Sequence, residues 1–439
     1  MSRSGIDADF GLWVKDARAL AKTHSSINFT DRETLRRTLV ELHKLFLSSP
    51  GSVKKAYRAM ADKRIVIQEK VCEKAISEGH VLWSLPGEEP EDIAALLGGL
   101  IRAIDATLGQ YRSHWPSDST RWLVDDLGWY VIPRDGPSRS RAAAQGQPYE
   151  KRGMLFHRMI PKKINGYSVE IFSSRSRHMS KHEAESWRVG ACLFGAIELR
   201  PDIFEARGEK RFVILDAQCA TAASVVNTQI ENALNEQCVA LVWPELTVPP
   251  ALLKRLRTLL SDRDVEDARS PPEVVVAGSW HENIDGRTVN RSRIFDGYGV
   301  ERFAYDKIEP YADGDWGRED IVPGTRVCVL ATEAALIGFA ICLDFCDVNS
   351  NPFTELDIDL ILVPSMGNDR TIEGHRNTAA AVEVRFGTRT FVVQHNLSTD
   401  FEDGRLGVVI PMPKRPGNAS TKDLGQNAIW KAYGWPKNA

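Results

Sequence analysis

The second half of the chain alternates short apolar segments with amphipathic ones, and this alternation limits the folds it can adopt. Runs of strand length, rich in β-branched residues, occupy Val239–Trp243, Val274–Gly278, Val327–Leu330, Ile337–Cys342, Ile358–Pro364 and Phe391–Gln394. Stretches with helical spacing lie between them, at Ala222–Glu236, Ala251–Leu260 and Arg376–Arg385. Strands without a polar face are typical of sheets covered on both sides. The pattern predicts an α/β architecture, with Trp187–Leu199 as a further buried strand.

The first 133 residues instead predict helices. One helix opens at Thr30–Glu33, which has the form of a capping box. Its apolar face is predicted to comprise Leu35, Leu39, Leu42, Leu45 and Phe46. A second helix is predicted from Pro90, because proline is favoured in the first helical turn. The N-terminal region is therefore predicted to be a mainly α-helical domain.

Residues 134–183 differ from both neighbouring parts. They are rich in Pro, Gly, Ser and Arg and predict a basic linker or long loop, in which the runs MLFHRMI and GYSVEIF favour a hairpin. Basic residues far outnumber acidic ones here, so a local anion, RNA or partner site stays open beside the simpler interpretation of a solvated loop. The predicted domains are 1–133, 134–183 and 184–439.

Composition narrows the class of protein. With 439 residues the chain is too long for one ordinary core. Its formal net charge of -3 gives no general reason to expect nucleic acid or a membrane surface as partner. No apolar run approaches the roughly 20 residues of a membrane helix, and the N-terminus has no secretory apolar region. The 7 cysteines are odd in number and lie mostly in apolar runs, which predicts reduced thiols in a cytoplasmic protein.

Three reactive side chains each follow an apolar, strand-like run. Glu245 follows LVWP, Lys307 follows AYD, and Cys342 follows GFAI. Open α/β sheets place their chemistry at strand ends, and a thiol with a base and a cation is the minimum needed to attack a carbonyl or nitrile carbon. Taken singly, each has a simpler interpretation, as a helix-terminal acid, a surface lysine and a small buried hydrophobe. Cys346 could form a CxxxC pair with Cys342, but no set of residues has metal-ligand spacing, so no metal is predicted.

Together these segments resemble the nitrilase or carbon–nitrogen hydrolase superfamily over roughly residues 187–415. The order Glu, Lys, Cys matches, and GFAICLDF resembles the family's turn around its cysteine, with Asp344 matching the acid two residues later. Further similar stretches are VVVAGSWHENIDGRTVNRSRIFDGYG around Asn290, DIDLILVPSMGN, FVVQHN and GRLGVVIPMP. The chain departs from the family pattern at Leu343, where an aromatic residue is usual, at Thr388, and at an insertion around 200–217.

The resemblance implies a fold and a mechanism. The fold would be a four-layer α-β-β-α sandwich, with Glu245 as general base, Cys342 as nucleophile, and Lys307 with the Leu343 backbone N–H stabilising the oxyanion. Glu319 is the better candidate for the family's second glutamate, and Asp315 the alternative. No cofactor is implied. The expected substrate is a small molecule with an amide or N-carbamoyl group, less favourably a nitrile, and a homo-oligomer is expected.

Two other functions stay open at this point. The fold could serve binding or assembly without hydrolysis, although such a module would have no chemical need for all three residues. Alternatively, the N-terminal region could gate the hydrolase in a regulatory or defence system. From their positions, Trp316, Met366 and His395 are predicted to line the pocket.

Overall fold

A computed structural model describes residues 3–24, 31–80, 89–111, 115–134, 146–174, 186–206, 208–219, 221–262, 269–347, 351–396, 406–412, 422–424 and 429–436. They form two compact units, Met1–Lys162 and Lys163–Lys437, each with its own apolar core. Within the described residues no helix is both long and apolar enough to cross a bilayer.

The N-terminal unit consists of helices and one small sheet. Its elements are α1 (Arg3–His24), α2 (Arg32–Leu47), α3 (Gly51–Ala59), α4 (Asp62–Ser77), α5 (Pro90–Gln110), β1 (Leu123–Val124), β2 (Trp129–Pro133), α6 (Tyr149–Arg152) and β3 (His157–Pro161). The three strands form an antiparallel sheet in the order β1-β2-β3. The mainly helical character predicted for this region is confirmed.

Helix α2 buries the predicted apolar face: the side chains of that face are all in the core. Its cap differs from the prediction. Asp31, rather than Thr30, is the N-cap residue, and its carboxylate accepts a hydrogen bond of 2.8 Å from the Thr34 backbone N–H. Thr30 lies outside the described residues. An aspartate satisfies an unpaired N–H of the first turn as well as a threonine does, so the predicted start shifts by one residue.

Helix α5 lies at the centre of this unit. It begins at Pro90, as predicted, and is buried on nearly every side. Helix α4 crosses it closely at Gly99, where an added Cβ atom would lie 2.5 Å from the Gln68 Cβ. Glycine is therefore required at this crossing, because any side chain would push the two helices apart.

The segment predicted as a linker is divided between the two units. Strand β3, which contains most of MLFHRMI, pairs with β2 in the N-terminal unit. GYSVEIF pairs within the C-terminal unit, so the two runs do not form the predicted hairpin. Among the basic residues of the segment, Arg152 is fully buried and donates to the Met60 carbonyl (2.9 Å), and Lys162 pairs with Asp125 (2.8 Å). Five others, Arg139, Arg141, Arg175, Arg177 and Lys181, lie outside the described residues.

The C-terminal unit begins at residue 163, where the sequence analysis placed 184. Its elements are β4 (Lys163–Ile164), β5 (Tyr167–Ser173), β6 (Ser186–Cys192), β7 (Glu198–Ala206), β8 (Glu209–Gln218), α7 (Ala222–Asn235), β9 (Ala240–Val242), α8 (Pro250–Ser261), β10 (Val274–Val276), β11 (Trp280–Ile284), β12 (Arg287–Phe295), β13 (Glu301–Asp306), β14 (Ala312–Asp313), β15 (Gly317–Glu319), β16 (Arg326–Ala331), β17 (Leu336–Phe339), β18 (Leu360–Gly367), α9 (Asp369–Phe386), β19 (Arg389–Asn396), β20 (Gly407–Met412), β21 (Lys422–Leu424) and β22 (Trp430–Pro436).

Two large sheets form the body of this unit. The first has the strand order β11-β12-β10-β9-β6-β22, with β13 also paired to β12. The second has the order β21-β20-β19-β18-β17-β16-β5-β4. The domain boundary predicted at residue 184 left out β5, whose apolar residues pair in parallel with β16.

The two sheets pack face to face between two layers of helices. Strand β9 contacts β18, and β6 contacts β19. Helices α7 and α8 share a core with the other face of the first sheet, where Leu241 and Val275 lie, and α9 packs on β18, β19 and β20 of the second. Central strands covered on both faces are apolar throughout, as the sequence indicates. The predicted four-layer α-β-β-α sandwich is confirmed.

The insertion near residue 200 is a β-hairpin. The predicted strand Trp187–Leu199 ends early, at Cys192, and β7 and β8 follow as an antiparallel pair before α7. Strand β8 also pairs in parallel with β15, so that β14-β15-β8-β7 form a separate small sheet. This inserted hairpin, Glu198–Gln218, lies next to the side chains described below.

Candidate active site

Glu245 lies at the end of β9, three residues after Val242. Pro244 stops the strand, and Gly278 at the end of β10 packs directly on it: an added Cβ atom there would lie 2.3 Å from the Pro244 carbonyl oxygen. Leu246 has a positive φ of 57°, which turns the chain sharply after the glutamate. The Glu245 side chain is thereby buried at the mouth of the sheet, with 2% of its surface exposed.

Three groups donate hydrogen bonds to the Glu245 carboxylate. Oε1 accepts from Lys307 Nζ (2.8 Å) and from Asn290 Nδ2 (2.9 Å). Oε2 accepts from the backbone N–H of Met366 on β18 (3.0 Å). Because Met366 belongs to the second sheet, this bond joins the two sheets at the site.

Lys307 follows β13 directly and is also buried, with 1% of its surface exposed. Its backbone N–H donates to the Asn290 carbonyl (2.8 Å), which fixes the strand end. Its ammonium lies 2.8 Å from Glu245 Oε1 and 2.7 Å from Glu319 Oε2. Burial disfavours the charged form, but the two carboxylates outweigh burial and raise the pKa of Lys307 well above its ordinary value. Lys307 is therefore a cation at neutral pH.

Glu319 ends β15 and completes the charged cluster. Besides Lys307, its carboxylate accepts hydrogen bonds from Asn290 Nδ2 (2.8 Å), His281 Nε2 (2.8 Å) and the Tyr311 N–H (2.8 Å). Burial opposes ionisation, yet Lys307 and His281 together hold the pKa of Glu319 well below its usual range. Asp315, the alternative considered from sequence, is exposed.

Cys342 follows β17 and begins a short 3-10 helix, Cys342–Phe345. Its φ of 46° is positive, a strained conformation for a residue with a side chain. The thiol is fully buried and donates to the Met366 carbonyl (3.3 Å). Burial and the nearby Glu245 carboxylate raise the pKa of Cys342 well above its ordinary value, so the resting form is the thiol. Leu343 lies in the first turn of this helix, where backbone N–H groups have no intrahelical acceptor.

Asp344 ties the turn of Cys342 to the strand end of Lys307. Its Oδ1 accepts from the backbone N–H groups of Ile308 (2.9 Å) and Glu309 (2.8 Å). Its Oδ2 accepts from the Tyr305 hydroxyl (2.7 Å). These bonds bring the cysteine turn and the lysine together, although the two are 35 positions apart in the chain (342 − 307).

Cys346 lies in different surroundings from Cys342. Its sulfur contacts the Thr371 carbonyl (3.7 Å) and His375 Nδ1 (3.5 Å) on α9. Burial raises the pKa of Cys346 to about 12 and lowers the pKa of His375 to about 4. His375 is therefore a weak base beside a thiol of high pKa, and Cys346 is a thiol at rest.

A small cavity opens onto the charged cluster, with about 10 Å³ of space for a water-sized molecule. Its described lining combines the three charged side chains with the apolar and aromatic residues Phe212, Leu246, Tyr311, Trp316 and Met366. Trp316 and Met366 therefore lie where the sequence analysis expected them. His395 does not: it is buried and bonded to the carbonyls of Asn396 (3.1 Å) and Gly195 (3.3 Å). Cys342 is not among these lining residues, but its thiol contacts the carbonyl of Met366, which is.

Sequence reasoning missed three contributors to this site. His281 and Asn290 both bond Glu319, and the backbone of Met366 bonds both Glu245 and Cys342. Asn290 stood within a family-like stretch, but no pattern indicated its bridging position. His281 lies on β11 and Asn290 on β12, and the pairing of these strands places the two residues opposite each other. No spacing in the sequence indicates such a pair. Among the described residues no group of three or more His, Cys, Asp or Glu side chains could hold a metal ion.

No protein-family model matches the chain, and no curated protein matches it. Solved structures do resemble it. An amidase from Nesterenkonia sp. is 18% identical over 58% of this chain and 92% of its own, with a TM-score of 0.41. A mutant of the amidase from Nesterenkonia AN1, described as belonging to the nitrilase superfamily, is 17% identical over 58% of this chain and 93% of its own, with a TM-score of 0.41. Another mutant, in complex with butyramide, is 18% identical over 58% and 93%, with a TM-score of 0.40.

Proposed function

We propose that the C-terminal unit is a carbon–nitrogen hydrolase that cleaves a small, uncharged amide through a thioester on Cys342. The observation that carries the proposal is the buried Lys307 ammonium, which two carboxylates hold beside the turn of Cys342. Removing a charge from water costs free energy, so a buried ammonium needs charged partners. A cation fixed next to a thiol and a carboxylate suits attack on a carbonyl. The ordered motifs around Glu245, Lys307 and Cys342 support the same reaction class.

In the first half-reaction, Glu245 takes the proton of Cys342 as its sulfur attacks the amide carbonyl carbon. The carbonyl π electrons move to oxygen, and Lys307 with the Leu343 N–H stabilises this oxyanion. Removal of a donor from such a site costs about 10²–10³-fold in kcat. The oxyanion then collapses, the carbon–nitrogen bond breaks, and protonated Glu245 gives its proton to the leaving nitrogen. Ammonia or an amine leaves, and an acyl thioester remains.

In the second half-reaction, Glu245 removes a proton from water as its oxygen attacks the thioester carbonyl. The same donors stabilise the second oxyanion. Its collapse breaks the carbon–sulfur bond, and the thiolate recovers the proton from Glu245. The products are a carboxylic acid and the resting thiol, so one water is consumed for each amide cleaved and no cofactor takes part.

The cavity favours an uncharged substrate. Its described lining contains two carboxylates and one ammonium, and both carboxylates bond that ammonium. A substrate carboxylate would meet a net negative charge and no second cation among these residues, which is unfavourable in a buried site. An N-carbamoyl amino acid carries such a carboxylate, so we favour a plain amide over it.

Trapping of the acyl-enzyme tests the proposal. Acid quench of the wild-type protein during turnover of propionamide is expected to capture a propanoyl group on Cys342. Glu245→Gln should form none, because glutamine can neither take the thiol proton nor protonate the leaving nitrogen. Intact-mass analysis and peptide mapping measure the adduct, and ammonia release by the wild-type protein measures turnover. The Cys342→Ala variant is the control and should carry no adduct. An adduct on another residue would contradict the assignment of Cys342 as nucleophile, and no ammonia from any neutral amide would favour the non-hydrolytic interpretation.

Phe212 is expected to set the size limit for the substrate. It comes from the inserted hairpin, lies 2% exposed in the cavity wall, and packs edge-to-face on Trp316 with ring centroids 5.4 Å apart. Phe212→Leu should raise kcat/KM for hexanamide relative to propionamide by about tenfold, because each added methylene in an apolar pocket changes discrimination by this order. The succinic monoamide anion should remain a poor substrate. A uniform change for all amides would contradict this role.

A further inference from the structure

His281 is the one histidine whose ring bonds the charged cluster among the described residues. It lies on β11 with its side chain fully buried. Its Nδ1 accepts a hydrogen bond of 2.8 Å from the backbone N–H of Ile214. A neutral imidazole has one donor and one acceptor nitrogen. The proton of His281 must therefore be on Nε2, which points at Glu319 Oε1, 2.8 Å away.

The backbone N–H that fixes this tautomer of His281 belongs to the inserted hairpin. Ile214 belongs to β8, two residues after Phe212, so both side chains lie on the same face of the strand. The same strand pairs with β15, where Phe212 is opposite Glu319, and the Asp320 N–H donates to the Phe212 carbonyl (2.9 Å). The inserted hairpin therefore contacts the charged cluster at two points. Strand β8 pairs with the backbone of Glu319, and the Ile214 N–H bonds the ring of His281.

Glu319 depends on such donors to remain ionised. Four groups bond its carboxylate, and hydrogen bonds to the charged form of a buried carboxyl favour ionisation. Two of the four, Lys307 and His281, lower its pKa against the effect of burial. An ionised Glu319 in turn supports the charge of Lys307 and holds the ammonium at 2.7 Å. Without the His281 donor, part of the free-energy cost of burying the ionised Glu319 carboxylate would be uncompensated.

We infer that His281 is a positioning residue for the proposed hydrolysis: the inserted hairpin fixes its tautomer, and His281 keeps Glu319 ionised and aligned on Lys307. The inference rests on the proposed function for its kinetic consequence, but its structural content can be measured without turnover. The charged groups that face Glu319 are Lys307 directly and, through Asn290, Glu245. The pH dependence of this cluster is therefore shared by these groups.

His281→Phe tests the inference directly. The variant removes the Nε2–H donor, so the pKa of Glu319 should rise. The acid limb of the kcat/KM profile for propionamide should then move to higher pH, with a loss of about 10–100-fold at neutral pH, the range known for hydrogen-bond partners that orient the ligands of metal sites. His281→Gln retains an N–H donor and should recover most of the loss. His395→Phe removes a buried histidine that bonds only backbone carbonyls and should not move the limb.

Two NMR measurements separate this inference from the proposed function. The ¹⁵N shifts of the wild-type His281 ring should report a proton on Nε2, and the ¹³C shift of the Glu319 carboxyl should titrate at higher pH in His281→Phe than in the wild type. Equal titration in both proteins, or a proton on Nδ1, would overturn the inference whatever the catalytic rate. A shifted carboxyl in a protein that hydrolyses no amide would overturn only the proposed function.

Discussion

The Lys307→Met variant is expected to lose turnover and about 3–5 kcal/mol of its free energy of unfolding. Methionine preserves the length of the side chain but leaves the Glu245 and Glu319 carboxylates, each about 2% exposed, without their cation. An uncompensated buried charge costs more than the intact pair contributes. Loss of the ammonium also removes a stabiliser of the oxyanion, so kcat should fall by about 10²–10³-fold or more.

The stability loss should depend on pH in a defined direction. The folded-state pKa of Glu319 lies below its ordinary value of 4.5, so its contribution is present above that pH and is lost as the pH falls towards the folded value. The pKa of Lys307 is raised, so its contribution is present below its ordinary value of 10.5. The difference in urea-unfolding free energy between wild type and Lys307→Met should therefore be largest near neutrality and shrink below about pH 4.5.

A double variant and a surface control make this result specific. Lys307→Met/Glu319→Gln removes one of the two stranded charges and should recover part of the stability but no activity, as a double-mutant cycle would measure. Lys254→Met alters an exposed lysine on α8 and should leave both unchanged. Wild-type stability or turnover in Lys307→Met would show that the ammonium neither supports the cluster nor takes part in the reaction.

The sheet body could be predicted because its strands are buried on both faces. The predicted helices at 222–236 and 251–260 correspond to α7 at 222–235 and α8 at 250–261, within one residue at each end. The third, predicted at 376–385, covers only the second half of α9, which begins at Asp369. Its first turns carry Asp369, Arg370 and Glu373, whose polarity hides the helix from a search for apolar periodicity.

The domain boundary could not be predicted for a different reason. The run MLFHRMI alternates as a strand should, yet nothing in it indicates whether it pairs with the sheet before it or the strand after it. Register and partner are decided by long-range packing. β3 joins the N-terminal sheet through Tyr130 and Ile160, whereas β5 joins the C-terminal one through Val169 and Val327. A basic composition suggested a linker, but Arg152 within it is a buried structural residue.

The site residues that directly follow a strand could be predicted from the sequence. Those that reach the site through pairing between strands could not. Glu245, Lys307 and Cys342 each end a strand run, and the structure gathers them at one edge. His281 comes to the cluster through strand pairing and through a backbone N–H of the inserted hairpin. Backbone donors leave no mark on a sequence, so neither Ile214 nor Met366 could have been recognised as contributing in this way.

Cys342→Ala is expected to lower kcat/KM for propionamide by on the order of 10³-fold or more, because no other group in the proposed mechanism can form the thioester. Cys346→Ala is the matched control, four residues further on in the same turn region, and should retain most of the activity. Both are measured by ammonia release. Loss of activity in Cys346→Ala with retention in Cys342→Ala would reverse the assignment.

The backbone conformation at Cys342 allows a second test, in which a substitution removes activity but raises stability. A residue with a Cβ atom at a φ of 46° carries strain, and glycine adopts this conformation at little steric cost. Cys342→Gly should therefore be as inactive as Cys342→Ala but more stable than it, by about 1 kcal/mol in urea unfolding. Such a gain would mean that the strain persists because the thiol is needed at this position, as is common for functional residues. A lower stability of Cys342→Gly would mean that the conformation is not strained, and that the position of the thiol needs no functional explanation.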